Sequence, residues 1–318
     1  MEQPGQGKGA LYHLAPLGLA VFLFYLSVVF PFALSLVAIP IYIAIVRHGR
    51  GYGIVGALGA AMAVYIISGV EWALVFTSVC VLMALAAGEA FKREFPMGKT
   101  VATTALLPFL GVIGVFVITA YGSGASLSQA VDNLSTKAVE MMVNKQVEAG
   151  GDKELVEFVK SQRQNLVWIF SSVFPALLLN MTLFLALLNF LVARSLSIRF
   201  DWKAHMPQHD LSLWRAPEKL AWVMVGGGAL SLTGLGGFPA ALGLNIVFVL
   251  GMVYSIQGLS TAHYLLLKSN ATHMVKTIAY ILILIAMPWS VLALWSLGLV
   301  DALVDLRKMR DLNGISGE

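Results

Sequence analysis

A run of thirty-six residues near the N-terminus, from Leu11 to Val46, contains no acidic residue, lysine or arginine. This run limits the fold more than any other feature of the chain. A helix that crosses the roughly 30 Å hydrocarbon core of a bilayer needs about 20 residues, so the run is too long for one crossing and nearly long enough for two. Pro31 lies near its middle, where proline removes a backbone donor and interrupts a helix. The sequence therefore predicts two short membrane helices, about Ala15 to Val29 and Phe32 to Val46.

The composition supports a membrane environment for the whole chain. Apolar residues make up 58% of the 318 positions and charged residues only 12%, whereas soluble domains average about 25% charged residues. The net charge of +4 is small and the basic residues lie between apolar runs, so we expect the lipid bilayer, and no nucleic acid, as a partner. Cys80 is the only cysteine, which excludes a disulfide framework and a thiolate metal cluster.

Further apolar runs predict an all-α polytopic membrane protein with about nine transmembrane helices, eight to ten in all. The predicted third to ninth spans are Tyr52 to Val70, Trp72 to Phe91, Val101 to Tyr121, Leu166 to Val192, Leu220 to about Leu235, Ala241 to Leu267, and Thr277 to Val300 with a bend at Pro288. The predicted domains are a cytoplasmic N-terminus (1–10), a six-span half (11–192) with a polar insert (122–164), a basic loop (193–219), a three-span half (220–300) and an amphipathic tail (301–318).

Charge fixes the predicted orientation. Basic residues are concentrated in cytoplasmic loops of membrane proteins, so the loops at Arg47–Arg50, Lys92–Lys99 and Arg194–Lys219 are expected in the cytoplasm and the insert outside. Nine spans that start in the cytoplasm place the basic tail outside, against the same rule. The sequence leaves this conflict open.

The insert is the one long polar segment. Leu127, Val131, Leu134, Ala138 and Met142 recur at the period of an amphipathic helix. Gly150–Gly151 ends the pattern, Asp152 is a helix N-cap candidate, and a second helix follows. We expect a helical hairpin outside the membrane, whose apolar stripe packs either on the protein itself or on a protein partner.

Polar residues inside the apolar runs are the candidate ligand contacts. Asn180 lies near the middle of the sixth span, which also carries Thr182 and Asn189. In the eighth span a polar and aromatic stripe with helical spacing follows one face, comprising Tyr254, Gln257, Thr261, Tyr264 and Lys268. Such side chains serve equally as hydrogen-bond seams between helices and as walls of a ligand site. The ligand-binding hypothesis names Asn180, Gln257, Thr261 and Tyr264.

Two carboxylates bracket the fourth span and are secondary candidates. Glu71 and Glu89 are separated by about 27 Å along a helix, five full turns, and share one face. This separation places them at opposite membrane interfaces, where a charge avoids the cost of the bilayer centre.

No motif indicates catalysis. His205 and His209 have a spacing that superficially suits a metal, but Pro207 between them opposes the helix that would align them. The sequence contains no HExxH, Walker loop, nucleophile elbow with triad partners or close carboxylate pair. We therefore expect no catalytic residue, metal or cofactor, and no enzyme.

Three segments resemble a known family. They are LWRAPE (Leu213 to Glu218), LNIVFVLGMVYSIQGLSTAHYLLLK (Leu244 to Lys268) and GLVDALVDLRK (Gly298 to Lys308). With the paired short N-terminal helices and the polar insert, they resemble the YybS-like bacterial membrane proteins, also known as domain of unknown function 2232. The resemblance implies a multi-pass protein of the bacterial inner (plasma) membrane with no established activity.

The six-span half is in turn similar to the substrate-binding subunits of energy-coupling-factor transporters. The turn AIPIYIAIVRHGRGYG (Ala38 to Gly53) resembles the one in that fold. Ala15, Gly18 and Ala20 lack the four-residue spacing with which such subunits dock their coupling module. The resemblance implies a small-ligand-binding or transporter-like protein. The alternative is an interaction or assembly protein that binds partners through the insert (122–164) and the basic loops.

Overall fold

The computed structural model of the protein describes residues 6–29, 31–148, 153–199, 211–233, 237–286 and 289–307. Within these ranges the regular structure is entirely helical, in agreement with the predicted all-α class. Thirteen α-helices follow one another along the described chain: α1 Gln6–Val29, α2 Ala38–His48, α3 Arg50–Ser68, α4 Val70–Phe76, α5 Leu82–Lys92, α6 Met97–Gly122, α7 Leu127–Glu148, α8 Lys153–Ser161, α9 Arg163–Arg199, α10 Lys219–Leu232, α11 Gly237–Lys268, α12 His273–Ile285 and α13 Trp289–Val304.

Several of these helices are long and apolar enough to cross a membrane. Among the described residues there are five, or six if the bent pair α12 and α13 forms one crossing. The five are Arg50–Ser68, Val70–Lys92, Met97–Gly122, Arg163–Leu196 and Gly237–Lys268. Two shorter apolar helices, Gly18–Val29 and Lys219–Leu232, accompany them. The protein is therefore a helical chain with multiple membrane-spanning candidates.

The chain forms two compact units that interleave in sequence. Unit 1 comprises Met1–Thr119 and Met181–His209, and unit 2 comprises Ala120–Asn180 and Asp210–Glu318. The helix α9 contributes its first part to unit 2 and its second part to unit 1. The polar insert therefore groups with the C-terminal region of the chain, whereas the sequence places it within the six-span half.

The N-terminal apolar run breaks close to Pro31, but the second helix starts later than expected. A 3-10 helix occupies Pro31–Leu36, and α2 begins at Ala38 instead of Phe32. Pro40 lies in the first turn of α2, where its missing amide leaves no helical hydrogen bond unmade. The local chemistry thus favours a short connector followed by a helix that can hold this second proline.

The core of unit 1 forms where α1, α2, α3 and the α4–α5 segment pack together. Its fully buried side chains include Ile41, Val64 and Phe76. A π-helical turn at Thr77–Val81 joins α4 to α5, so the predicted fourth span is one apolar segment from Val70 to Lys92. Gly53 lies so close to Ile45 that a Cβ atom there would overlap the isoleucine side chain, which shows how small residues bring α2 and α3 together.

In unit 2 the insert forms two helices, α7 and α8, separated by the undescribed residues 149–152, which include the Asp152 N-cap candidate. Val139, Val156 and Val159 are buried. The Ser171 hydroxyl donates to Asp132 at 2.7 Å, and Arg163 forms an ion pair with Glu140. The insert therefore has an apolar face packed within unit 2 and polar ties to the start of α9.

The helix α11 is the centre of unit 2, with α10 and α13 packed against it. Glycines bring the backbones into contact: a Cβ on Gly243 would collide with α10, and one on Gly258 would collide with the Leu294 carbonyl of α13. Gly298 is equally restricted by the Tyr254 carbonyl. Close backbone approach of this kind is typical of helices that associate in lipid.

The last apolar run is interrupted where the sequence predicts a bend in the ninth span. It forms two helices, α12 and α13, whose axes differ by 114°; Pro288, the expected bend, lies outside the described residues. Proline removes a backbone donor and clashes with the preceding turn, so an interruption at this position is expected. The size of the change in direction was not predictable from the sequence.

Candidate functional site

Three segments that are far apart in sequence meet in unit 2. They are the stretch from Leu211 to Ala216 before α10, the part of α11 around Gln257 and Ser260, and the end of α13 with the residues that follow it. We call their buried polar groups the unit 2 polar cluster. Its members are Ser212, Gln257, Ser260, Asp301 and Arg307, together with the main-chain groups that they contact.

At the centre of the unit 2 polar cluster is a fully buried ion pair. The side chains of Asp301 and Arg307 are both 0% exposed, and the guanidinium Nη2 donates to Asp301 Oδ2 at 2.7 Å. The Arg307 Nε lies 3.2 Å from both carboxylate oxygens. A pair of this kind compensates a desolvation cost of several kcal/mol per ion only if the remaining donors and acceptors are also satisfied.

The Nη1 group of Arg307 is bound by the segment before α10 and by α11. It donates to the Ser212 carbonyl at 2.7 Å, to the Trp214 carbonyl at 3.0 Å and to the Ser260 hydroxyl at 2.8 Å. The Ser260 hydroxyl lies 2.5 Å from the Leu211 carbonyl and 2.8 Å from that of Trp214. One arginine therefore joins α11, the end of α13 and the Leu211–Trp214 stretch.

Gln257 joins the same three segments through its amide. Its Nε2 donates to Asp301 Oδ2 at 2.8 Å, and its Oε1 accepts from the backbone amide of Ala216 at 3.0 Å. At the edge of the cluster, Arg215 donates to Asp305 at 3.0 Å and to the carbonyl of Ala302 at 3.2 Å. The unit 2 polar cluster is thus a dense hydrogen-bond network that joins three segments of the chain.

The predicted polar and aromatic stripe on α11 lies partly inside the unit 2 polar cluster. Gln257 and Thr261 are fully buried, with both ends of the Gln257 amide bound by protein and the Thr261 hydroxyl donating to the Gln257 carbonyl at 3.0 Å. Tyr264 lies further along α11 and is partly buried. Of the two sequence interpretations, this geometry favours the hydrogen-bond seam for Gln257 and Thr261.

The predicted amphipathic tail (301–318) begins within α13, and its described part is folded into unit 2. Asp301 to Val304 belong to α13, and Arg307 folds into unit 2 with 3% of its surface exposed. The apparent basic tail contains a counter-ion for Asp301, which explains how a carboxylate is accommodated at the end of an apolar helix. Residues 308–318 lie outside the described part of the chain.

A second polar contact in unit 2 links α9 and α11. Pro175 interrupts the hydrogen bonding of α9, and the Asn245 side chain inserts there: its Oδ1 accepts from the Ala176 amide at 2.9 Å and its Nδ2 donates to the Ser172 carbonyl at 2.6 Å. Each unsatisfied backbone group costs several kcal/mol in lipid, and tertiary partners replace the missing helical bond at a proline. The Asn245 side chain therefore satisfies the main-chain groups of α9 beside Pro175.

Asn180, one turn further along α9, also contacts α11. Its Nδ2 donates to the Phe248 carbonyl at 3.0 Å, whereas its Oδ1 is buried and has no hydrogen-bond partner. Phe248 and Gln257 are nine residues apart on α11, about 13 Å along the axis. The structure therefore brings Asn180 to the helix that carries Gln257, but not to the same place.

The secondary candidates lie at opposite ends of the α4–α5 segment, in unit 1. Glu71 is exposed in the first turn of α4. Glu89, near the end of α5, accepts from Arg93 at 2.6 Å and lies 3.5 Å from Arg50. Glu89 is therefore part of a charged group at one end of unit 1.

A small cavity in unit 1 contains polar atoms that lack partners. It lies between α2, α5, α6 and α9, and its volume is about 10 Å³, which is room for about one water molecule. Its lining residues are Ala38, Ile39, Tyr42, Met83, Ala87, Phe91, Thr100, Thr104, Ala186, Asn189, Phe190 and Ala193. We call it the Asn189 cavity.

Two oxygen atoms in the lining of the Asn189 cavity lack hydrogen-bond partners. They are Asn189 Oδ1 and Thr104 Oγ1, on residues that are 5% and 2% exposed. The other end of the Asn189 amide donates to the Leu185 carbonyl at 2.9 Å and contacts the Met83 sulfur at 3.4 Å, which fixes the orientation of the amide. Each buried polar group without a partner costs about 1–3 kcal/mol, so the cavity favours an occupant that donates a hydrogen bond.

Metal binding finds no support in the described residues, where no group of three or more histidine, cysteine, aspartate or glutamate side chains could hold an ion. His205 and His209 lie outside those residues. The unit 2 polar cluster, Asn245 and the Asn189 cavity were not identified as sites from the sequence. The available signals were an acid and an arginine six residues apart at the end of an apolar run, and an asparagine and a proline within two long apolar helices.

Comparison with known proteins places the chain in a family. Residues 18–302 match the family model described as Predicted membrane protein (DUF2232). The chain belongs to this family. It is also 25% identical over 263 residues to the "Uncharacterized protein YybS" of Bacillus subtilis (strain 168), which covers 81% of this chain and 83% of the relative. No solved structure matches the chain.

The DUF2232 match confirms the resemblance noted in the sequence. Each of the three recognised segments contributes to the unit 2 polar cluster: Trp214 to Ala216, Gln257 to Ser260, and Asp301 to Arg307. The match ends at residue 302, so it includes Gln257 and Asp301 and stops before Arg307. The similarity to energy-coupling-factor subunits stays a prediction.

Proposed function

We propose that the protein is a transporter-like membrane protein that binds a small ligand in the Asn189 cavity of unit 1. The observation that carries this proposal is the presence of two partnerless buried oxygens in the lining of one cavity. Asn189 Oδ1 can only accept a hydrogen bond, so the ligand must carry an N–H or O–H donor. Binding would satisfy a polar group that is otherwise costly to bury.

The walls limit the ligand further. Tyr42 and Phe91 are in ring contact with centroids 4.8 Å apart, and Phe91 stacks on Phe190 at 5.9 Å. The described lining residues carry no charge, and an unpaired ion is expensive to bury. A small, neutral, flat molecule with at least one donor fits these properties. Since the cavity has room for about one water molecule, binding of a larger molecule requires the surrounding helices to separate.

The test is mass spectrometry of small molecules retained by the detergent-purified protein. Asn189→Leu and Thr104→Val remove the two acceptors with little change of volume. Thr103→Val is a matched control, because the adjacent Thr103 hydroxyl bonds only to the Lys99 and Thr100 carbonyls of its own helix. We expect a retained molecule that the control keeps and both cavity variants lose. Retention of the same molecules by all forms, or of none by the wild type, would contradict the proposal.

The ligand hypothesis for unit 2 stays a prediction for Asn180, Gln257, Thr261 and Tyr264. Asn180 is the strongest of these, because its Oδ1 is buried without a partner. The finer topology is also proposed: eight to ten crossings, about nine, in a bacterial inner membrane, with the basic loops in the cytoplasm. The described residues support this number with five long candidate crossings, or six if the bent pair counts as one, and two shorter apolar helices.

One observation favours the second candidate function, assembly with a protein partner through the insert. Leu127, Leu134 and Met141 recur every seven residues along α7 and are 42%, 44% and 59% exposed. A seven-residue repeat forms a nearly straight apolar stripe on a helix. The test is photo-crosslinking in cells from Leu134, with the exposed polar Asn133 position as control. Crosslinks from both positions, or from neither, would count against this function.

A further inference from the structure

A larger cavity lies in unit 1 at the turn between α2 and α3, beside the end of α5. Its volume is about 240 Å³. Its lining residues are Ile45, Gly49, Arg50, Ile54, Leu85, Gly88, Glu89 and Lys92. We call it the Arg50 cavity. It shares no lining residue with the Asn189 cavity, and the function proposed above does not use it.

The lining of the Arg50 cavity has an apolar part and a cationic part. Ile45, Ile54 and Leu85 provide the apolar part. The charged part contains the cations Arg50 and Lys92 and one anion, Glu89, to which Arg93 adds a further cation from outside the lining. Since Glu89 is already paired with two arginines, the charged part is positive in total.

The local fold holds Arg50 at this position. Gly49 has a φ of 90°, in the left-handed region that favours glycine, and it reverses the chain between α2 and α3. Arg50 is the first residue of α3, and no side chain caps this helix start. The positive end of the α3 dipole therefore adds to the attraction for an anion.

The location decides which anion is most available. The cavity lies at the end of apolar helices, next to the basic loops that the sequence predicts to be cytoplasmic. At a membrane boundary, a molecule with an anionic head and an apolar body is abundant, namely a phospholipid. Basic pockets between membrane helices on this side are typical binding places for anionic head groups.

We propose that the Arg50 cavity binds an anionic glycerophospholipid, with its phosphate at Arg50 and Lys92. The first part of an acyl chain lies against Ile54 and Leu85. Glu89 is a positioning residue: it holds the Arg50 and Arg93 side chains and does not itself contact the phosphate. The chemistry shared with a free phosphate ion is the attraction to these cations, and the apolar part distinguishes the lipid.

The experiment is a lipid titration of the full-length protein in non-ionic detergent, followed by native mass spectrometry. Phosphatidylglycerol and phosphatidylcholine with identical acyl chains are compared. We expect phosphatidylglycerol to bind more tightly, and Arg50→Gln with Lys92→Gln to weaken its binding by about fivefold for each cation removed. The matched control is Lys137→Gln with Lys145→Gln, which removes two exposed cations from α7. The single variant Lys92→Glu is the second test, should the double variant fail to fold.

The alternatives give different results. Equal binding of both lipids, unchanged binding by the Arg50 and Lys92 variants, or an equal loss in the α7 control would overturn the proposal. Displacement of phosphatidylglycerol by equimolar inorganic phosphate would assign the cavity to a soluble phosphate compound instead. Loss of the Asn189 cavity ligand leaves this result unaffected, because the two cavities are tested by separate variants and separate ligands.

Discussion

Replacing Arg307 by methionine removes the cation of the buried pair while keeping an unbranched chain in place of the aliphatic part of the arginine. Among the described residues, the Asp301 carboxylate then retains one side-chain donor, Gln257 Nε2. The carbonyls of Ser212 and Trp214 lose the Nη1 donor. The variant therefore leaves the Asp301 charge buried without its cation and removes one donor from each of these carbonyls.

The size of the effect follows from this loss. Removing one partner of a buried ion pair costs about 3–5 kcal/mol, because the other charge stays uncompensated. In a unit of this size each kcal/mol lowers Tm by about 2–4 °C, so we expect a decrease of about 6–20 °C. Asp301→Asn should cost less than Arg307→Met, because Arg307 keeps its contacts to Ser212, Trp214 and Ser260.

The assay is thermal unfolding in detergent, followed by intrinsic tryptophan fluorescence. The control is Arg163→Met, which breaks the ion pair with Glu140 in the same unit, where both side chains are about half exposed, 52% and 51%. Exposed pairs contribute about 0–1 kcal/mol, so this variant should melt within a few degrees of the wild type. Equal melting of Arg307→Met and Arg163→Met would show that the polar cluster does not hold unit 2 together.

Asn245→Leu should lower Tm because it leaves two main-chain groups of α9 beside Pro175 without partners, at a cost of about 1–3 kcal/mol for each group. The added substitution Pro175→Ala should recover part of the loss, because α9 can then form its own hydrogen bonds. No recovery would refute the role of Asn245 as the partner of these groups. Gly258→Ala should destabilise the protein by about 1–3 kcal/mol through overpacking against α13. Gly226→Ala places its Cβ in open space and should be neutral or stabilising by up to about 1 kcal/mol. Equal melting of the two variants would contradict the close approach of α11 and α13. A fluorescent protein that matures only in the cytoplasm, fused after Glu318, should fluoresce, and a dark fusion at normal expression would place the C-terminus outside.

The apolar helices were the part of the fold that sequence could predict. A bilayer requires long uncharged helices, so runs such as Met97–Gly122 and Gly237–Lys268 are visible from composition alone. Connections between them were harder, because the length of the Pro31 connector and the 114° change of direction after α12 depend on tertiary packing.

Sites built from residues distant in sequence could not be predicted. Arg307 has the sequence surroundings of a basic tail, and only the fold shows that it returns to Asp301. Gln257 stands out in the sequence as a polar group in an apolar helix, but its partners Ala216 and Asp301 are 41 and 44 residues away. The Asn189 cavity is formed by four helices at once, and the position of a residue within its span favours Asn180 over Asn189.

The position of Arg307 has a consequence for biosynthesis. Proteins emerge from the ribosome N-terminus first, so Asp301 is made before the cation that neutralises it, and the unit 2 polar cluster stays incomplete until Arg307 is made. The completion of unit 1 is also delayed, because its second part follows residues 120–180 of unit 2 in the chain. A message truncated shortly before codon 307 would therefore yield a protein with its long membrane helices but with the Asp301 carboxylate lacking its cation. Quality-control proteases could recognise this defect in an otherwise inserted chain.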